Sequence, residues 1–172
     1  MKDIVLKTVF VFEYAANHFD AKRENTRFPI DNNMRKLMGL KLMKTLDVRL
    51  KEANESIKNI KYKEIVLQSG QDSYQHIMRW LFKDGNINWG RVLITLVVNA
   101  NLSVSFRDKE RSLDIIRDYT SYFQTNILPW MAENGGWDGF VDYFEEEEKE
   151  ENNCKSALNW VLYNASLFML AE

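Results

Sequence analysis

The chain has 172 residues, 45% of them hydrophobic and 13% aromatic, with a formal net charge of -2. That length and apolar content support one domain, residues 1–172, with a sizeable core, and the near-neutral charge gives no general attraction to phosphate, which argues against nucleic acid as a partner. A single cysteine, Cys154, excludes an internal disulfide and fits a reducing compartment, and 7 glycines with 2 prolines leave room for long helices.

In chain order, Val5, Val9, Phe12, Ala16 and Phe19 recur at helical spacing and predict a helix from about Asp3 to Phe19, its apolar face widened by Ile4, Leu6 and Phe10. Met1-Lys2-Asp3 places an acid early and no small-residue cleavage site follows, so no signal peptide is expected. Asp20 to Asp31 is polar, holds Pro29 and reads as a loop. From Asn32 the helical period returns, and Met38, Leu42, Leu46, Leu50, Ala53, Ile57 and Ile60 step by three or four with Lys and Glu opposite. This predicts one long amphipathic helix. Lys61 to Gly70 reads as a turn of helix and a loop. Asp72 or Ser73 can cap the next helix, which carries Tyr74, Ile77, Met78, Leu81 and Phe82 on one face and stops at Asp84-Gly85.

The stretch that follows is apolar on every side from Val92 to Phe106. Its β-branched residues Val92, Ile94, Thr95, Val97 and Val98 suit a buried strand, whereas its length suits a helix capped by Asn88. A central helix with the others wrapped around it is the expectation. Asp108 can cap a further helix, with Leu113, Ile116, Thr120, Phe123 and Ile127 on one face. Pro129 bends the chain and Asn134-Gly135-Gly136 turns it. Trp137 to Phe144 reads as a short helix, the acidic run Glu145 to Glu151 as a solvated loop, and a last helix is expected from about Asn153 with Ala157, Trp160, Val161 and Phe168 on a face. No apolar stretch reaches the roughly 18 residues needed to span a bilayer.

No catalytic constellation emerges. His18 and His76 are far apart and neither has a second metal ligand at helical spacing, so both read as structural or surface residues. Cys154 lies beside acids, which raise a thiol pKa. There is no phosphate-binding glycine loop and no Gly-x-Ser-x-Gly. The chain is expected to be no enzyme and to need no cofactor or metal. The Asn-Leu-Ser at Asn101 is formally a glycosylation sequon but lies in the apolar run.

Two segments are chemically unusual. The first is Trp80-Leu81-Phe82-Lys83-Asp84-Gly85-Asn86-Ile87-Asn88-Trp89-Gly90-Arg91-Val92, and the second runs from Pro129-Trp130-Met131 through Glu133-Asn134-Gly135-Gly136-Trp137-Asp138-Gly139-Phe140-Val141. Here the chain closely resembles the Bcl-2 family of apoptosis regulators, the first segment matching its BH1 motif and the second its BH2 motif. Ile4-Val5-Leu6-Lys7 is similar to the N-terminal BH4 helix of that family.

The resemblance implies an all-α Bcl-2-like bundle, with a central hydrophobic helical hairpin wrapped by amphipathic helices and a surface groove that takes a partner's BH3 helix. It thereby favours helix over strand for the central run. Helix-in-groove binding needs an apolar floor and a polar anchor. The floor would comprise Ala53, Ile57, Ile60, Ile77, Leu81, Leu93 and Val98, with Phe144 at one end. Arg91 matches the arginine that pairs with a ligand aspartate, Asn88 can cap its helix and bond the ligand, and Gly90 admits the ligand backbone. Read without the resemblance, Asn88 is a helix cap, Gly90 a packing glycine, Arg91 a surface arginine, and Trp89, Trp130 and Trp137 belong to the core.

The chain's own segment at the BH3 position, Leu42-Met43-Lys44-Thr45-Leu46-Asp47-Val48-Arg49, has Leu46 in place of a small glycine and Arg49 at an apolar position. As a ligand it would be poor, because Leu46 blocks close approach and Arg49 would be buried unpaired. Together with the wording of Glu133 to Asp138, this favours an anti-apoptotic protein that sequesters BH3 helices. The alternative is a Bax/Bak-like executioner that permeabilises the mitochondrial outer membrane. The implied partners are BH3-only proteins, Bax/Bak-type proteins and the autophagy protein Beclin. The implied location is cytoplasmic, at the mitochondrial outer membrane or another intracellular membrane. A C-terminal membrane segment is not evident, since Leu158 to Ala171 is short and carries Asn159 and Asn164. The short loop at 20–31 and the compact chain also resemble virus-encoded members of the family.

Overall fold

The computed structural model describes residues 2–19, 31–57, 73–105 and 109–149. Among the described residues there are eight helices and no strand. The first, α1 (Lys2–Phe19), buries Thr8, Val11, Phe12, Ala15 and Ala16. The sequence predicts one helix from Asn32 onward, but the chain breaks it into α2 (Asn32–Met38) and α3 (Leu40–Ile57). Gly39 is the cause. Its φ of +78° with ψ of 150° is a backbone conformation that residues with a side chain rarely adopt and that ends the helix, its amide donates to the Arg35 carbonyl at 3.0 Å, and an added Cβ there would meet nothing within 4 Å. Conformation, and not space, is what requires glycine at that position. Asp31 opens α2 by accepting the Met34 amide at 2.8 Å.

The apolar stripe of α3 behaves as its spacing predicts: Leu42, Leu46, Leu50, Ala53 and Ile57 are all buried, while Lys44, Asp47, Lys51 and Glu55 face water. Next, α4 (Ser73–Leu81) turns Ile77, Met78 and Leu81 into the core. The ambiguous central run is α5 (Trp89–Ser105), buried without interruption from Trp89 to Ala100. β-Branched residues disfavour a helix by up to about 0.7 kcal/mol each, whereas burying such a side chain is worth roughly 1.5–3 kcal/mol, so packing decides. The buried hydroxyls inside α5 bond their own helix. Thr95 donates to the Arg91 carbonyl at 2.9 Å and Ser103 to the Ala100 carbonyl at 2.9 Å.

The partner of α5 in the central hairpin is α6 (Lys109–Asn126), joined to it by the Asn99 amide donating to the Ile115 carbonyl at 3.4 Å. Helices α1, α3 and α6 pack around α5. Where Pro129 is expected only to bend the chain, it sits in the first turn of a short helix, α7 (Leu128–Glu133), where a missing N–H costs nothing. The last described helix, α8 (Gly136–Lys149), overturns the expected loop at the acidic run, because it continues past Phe144 to Lys149. Glu is a good helix former, and Lys41 of α3 holds Glu145 at 2.9 Å and Asp142 at 3.6 Å. The loops expected at 20–30 and 61–70, the caps Asp72 and Asp108, the remainder of the acidic run and the helix from Asn153 lie outside the described residues. No described helix is long and apolar enough to cross a membrane.

Candidate functional site: the Arg91 corner

The turn between α4 and α5 is built by local bonds. The Gly85 amide donates to the Phe82 carbonyl at 3.0 Å with φ +72°, and the Asp84 carboxylate accepts the Asn86 amide at 3.0 Å. Asn88 caps α5 as its position predicts, its side-chain oxygen accepting the Arg91 amide at 2.9 Å. The backbone of the first turn of α5 therefore delivers the Arg91 side chain to the mouth of the turn.

Arg91 is no surface arginine: its relative exposure is 3%. Its two terminal nitrogens grip Asp84 as a fork, Nη1 to Oδ1 at 2.5 Å and Nη2 to Oδ2 at 2.7 Å, and Nη1 also donates to the Asn86 carbonyl. A planar guanidinium meeting a carboxylate in this way is the strong, bidentate form of the ion pair. The Asp84 partner is not legible in the sequence, where Asp84 reads only as part of a helix-breaking signal. A carboxylate seven residues before an arginine across a turn has no periodic signature.

The Arg91 guanidinium, and after it the Asn86 amide, hold the Asp84 carboxyl well below the usual carboxylate range, against the opposing effect of burial. The folded value is depressed, so the stabilisation is complete above the unfolded carboxylate range, about pH 4, and is lost as pH falls through the lower folded value. The stability deficit of Asp84→Asn should therefore be largest at neutral pH and shrink as pH falls below about 4. Urea unfolding of both proteins at stepped pH checks this; a deficit that does not change with pH contradicts it.

The described residues of the expected floor lie in the core. Ala53 and Ile57 of α3, Ile77 and Leu81 of α4, Leu93 and Val98 of α5 and Phe144 of α8 all belong to one contiguous core. All are buried, at 9% exposure or less, and Gly90 is buried too, while Asn88 is exposed. Ile60 lies outside the described residues.

Arg49, expected to be buried without a partner if its helix served as a ligand, is buried here but well bonded. It donates to Glu52 at 2.8 Å and to the Phe144 carbonyl at 3.0 Å, with its guanidinium 5.2 Å from the Phe144 ring centroid. The segment around it turns Leu42 and Leu46 inward, and Asp47 accepts the Tyr14 hydroxyl of α1 at 2.6 Å.

The two unusual sequence segments meet in space. Trp89 packs edge-on to Trp130 and Phe140, with ring centroids at 4.8 and 5.9 Å, and Trp137 lies against Phe140 at 5.5 Å. Trp89 and Trp137 are core residues, as expected without the resemblance, and Trp130 is partly buried. The Trp137 indole donates to Thr8 Oγ1 at 3.0 Å, which joins the second segment to α1. Among the described residues no three His, Cys, Asp or Glu side chains come together to hold a metal.

An all-helical bundle with a buried central hairpin, and a buried arginine forked on a carboxylate at the head of that hairpin, define a class that sequence comparison makes specific. The profile of the Bcl-2 family of apoptosis regulator proteins matches residues 37–137, more than half of the chain, and the chain belongs to that family. Among its relatives, apoptosis regulator R11 of Xenopus laevis is 35% identical over 83 residues, 46% of this chain and 40% of that protein. Human Bcl-2-like protein 1 is 32% identical over 83 residues, covering 46% of this chain and 35% of its own length. Anti-apoptotic protein NR13 of Coturnix japonica is 30% identical over 91 residues, 51% of each chain. The matches thus span well under two thirds of these relatives. Among solved structures, a zebrafish pro-survival protein, NRZ, in complex with a Bad BH3 segment superposes with a TM-score of 0.60 at 24% identity, covering 82% of this chain and 94% of that one. That likeness establishes the fold.

Proposed function

We propose that this chain is an anti-apoptotic member of the family, one domain over 1–172, that sequesters BH3 helices of pro-apoptotic partners and so restrains mitochondrial apoptosis. The groove would be floored by Ala53, Ile57, Ile60, Ile77, Leu81, Leu93 and Val98 and closed at one end by Phe144. Arg91 would take the ligand's aspartate, Asn88 would hydrogen-bond the ligand, and Gly90 would admit the ligand backbone.

The observation that carries this reading is the Arg91 guanidinium, already presented to a carboxylate as a bidentate fork at the head of α5. Burial of the floor residues means that ligand entry displaces or opens part of the packing, a rearrangement on binding of the kind that a substantial minority of complexes show. The pro-survival and anti-apoptotic names of NRZ and NR13, and the Bad BH3 segment bound to NRZ, support the direction of the activity and the class of partner. Bax/Bak-type proteins and Beclin are the further partners in this reading, and the outer mitochondrial membrane is the place where it acts. Calorimetric titration with a panel of BH3 peptides is the test. At least one should bind with a Kd below about 1 μM, near -8 kcal/mol; a panel with neither heat nor competition overturns the proposal.

A further inference from the structure

We infer that Asp84 is an internal competitor for Arg91, so that a ligand carboxylate binds by exchanging with Asp84 and not by filling a vacant site. This rests on the reading of Arg91 as the anchor for a ligand aspartate.

The geometry leaves little choice. The Arg91 side chain is 4% exposed and both of its terminal nitrogens are committed to Asp84, one of them to the Asn86 carbonyl as well. A second carboxylate cannot form the same fork while Asp84 stays in place. Asp84 has somewhere to go: its side chain is 33% exposed, and a Cβ added to its neighbour Gly85 would meet nothing within 4 Å, so the turn borders open space. The exchange breaks one charge-assisted fork and makes another, so hydrogen bonds to Arg91 are conserved and the ligand acid gains only the difference. A ligand without that acid leaves the Asp84–Arg91 pair intact and buries no unpaired guanidinium. Asp84 therefore lowers the selectivity of the groove for an acid at that position and sets the threshold an acidic ligand must exceed.

Asp84→Asn tests the exchange, because the amide keeps an oxygen for the Asn86 N–H but loses the charge; Asp84→Ser, which also keeps an acceptor, serves if the first variant folds poorly. Two readouts are taken. In the first, a BH3 peptide and its Asp→Asn form are titrated into wild type and variant. The variant should bind the aspartate peptide about tenfold more tightly and the Asp→Asn peptide within about twofold of wild type. Equal tightening of both peptides would reflect net charge alone, and weakening of both would mean that Asp84 only holds the turn; either overturns the inference. The second readout needs no peptide. Phenylglyoxal labelling followed by mass spectrometry should modify Arg91 slowly in wild type and several times faster in the variant, with exposed Arg117 as the internal reference. Unchanged Arg91 labelling overturns the inference. Faster labelling with no peptide bound by either protein leaves the competitor standing and removes the proposed function.

Discussion

Gly139→Ala should destabilise the fold by about 3 kcal/mol, the upper end of what overpacking ordinarily costs. A Cβ at that position would overlap the carbonyl oxygen of Asn134, lie 3.0 Å from the carbonyl carbon and approach the Trp89 ring to 3.3 Å. Asn134 cannot easily give way. Its amide is shared between the carbonyls of Trp130 and Met131, both at 3.1 Å, at the end of α7. Any relief must therefore move α8 away from α7 or push Trp89 out of its contacts with Trp130 and Phe140. Gly136→Ala is the useful contrast. There φ is +62° and the new Cβ would meet only the Cδ1 end of Ile4 at 3.0 Å, so the expected cost is about 1–2 kcal/mol of backbone strain. Urea unfolding of the two variants measures the difference. Two equal costs would mean that the 134–139 turn yields more readily than its bonding implies. Because Trp89 opens α5, the Gly139 variant should also disturb the placement of Arg91 two residues on.

How much of this was legible in the sequence depends on how far apart the cause and its effect lie. The α3 stripe from Leu42 to Ile57 announces itself through spacing alone, and Asn88 caps α5 through a bond that spans three residues. The break at Gly39 is also local, but a lone glycine inside a helical pattern is ordinarily tolerated at about 1 kcal/mol, and only its φ shows that the helix ends there. In α7, Pro129 reads as a stop, although the first turn of a helix is where proline fits. The acidic end of α8 reads as solvated loop because its cation, Lys41, comes from a helix roughly a hundred residues earlier in the chain.

At the site the same division holds. The motif residues Asn88, Gly90 and Arg91 stand out through their resemblance to a family, while nothing in a one-dimensional pattern places Asp84 on the Arg91 fork. An apolar stripe cannot say whether it floors a groove or fills a core. Ala53, Ile57, Leu93 and Val98 share one buried cluster, and a ligand must gain access to them.

The most direct measurement of the central claim is a double-mutant cycle between Arg91 and the aspartate of a BH3 peptide. Arg91→Ala should weaken binding by roughly 1.5–3 kcal/mol, the range for a hydrogen bond to a charged group, with the value falling toward the lower end because Asp84 already satisfies the guanidinium in the unbound protein. Changing the peptide aspartate to Ala should cost a similar amount. Both changes together should cost clearly less than the sum, since the second removes a partner already lost. The coupling should grow in the Asp84→Asn background, where no internal carboxylate has to be displaced. Arg117, with a side chain 75% exposed and bonded to Asp114 at 2.9 Å, is the control and should show no coupling. A strictly additive cycle at Arg91, with binding otherwise intact, would contradict the account: the ligand would then lie elsewhere, or its aspartate would find another partner.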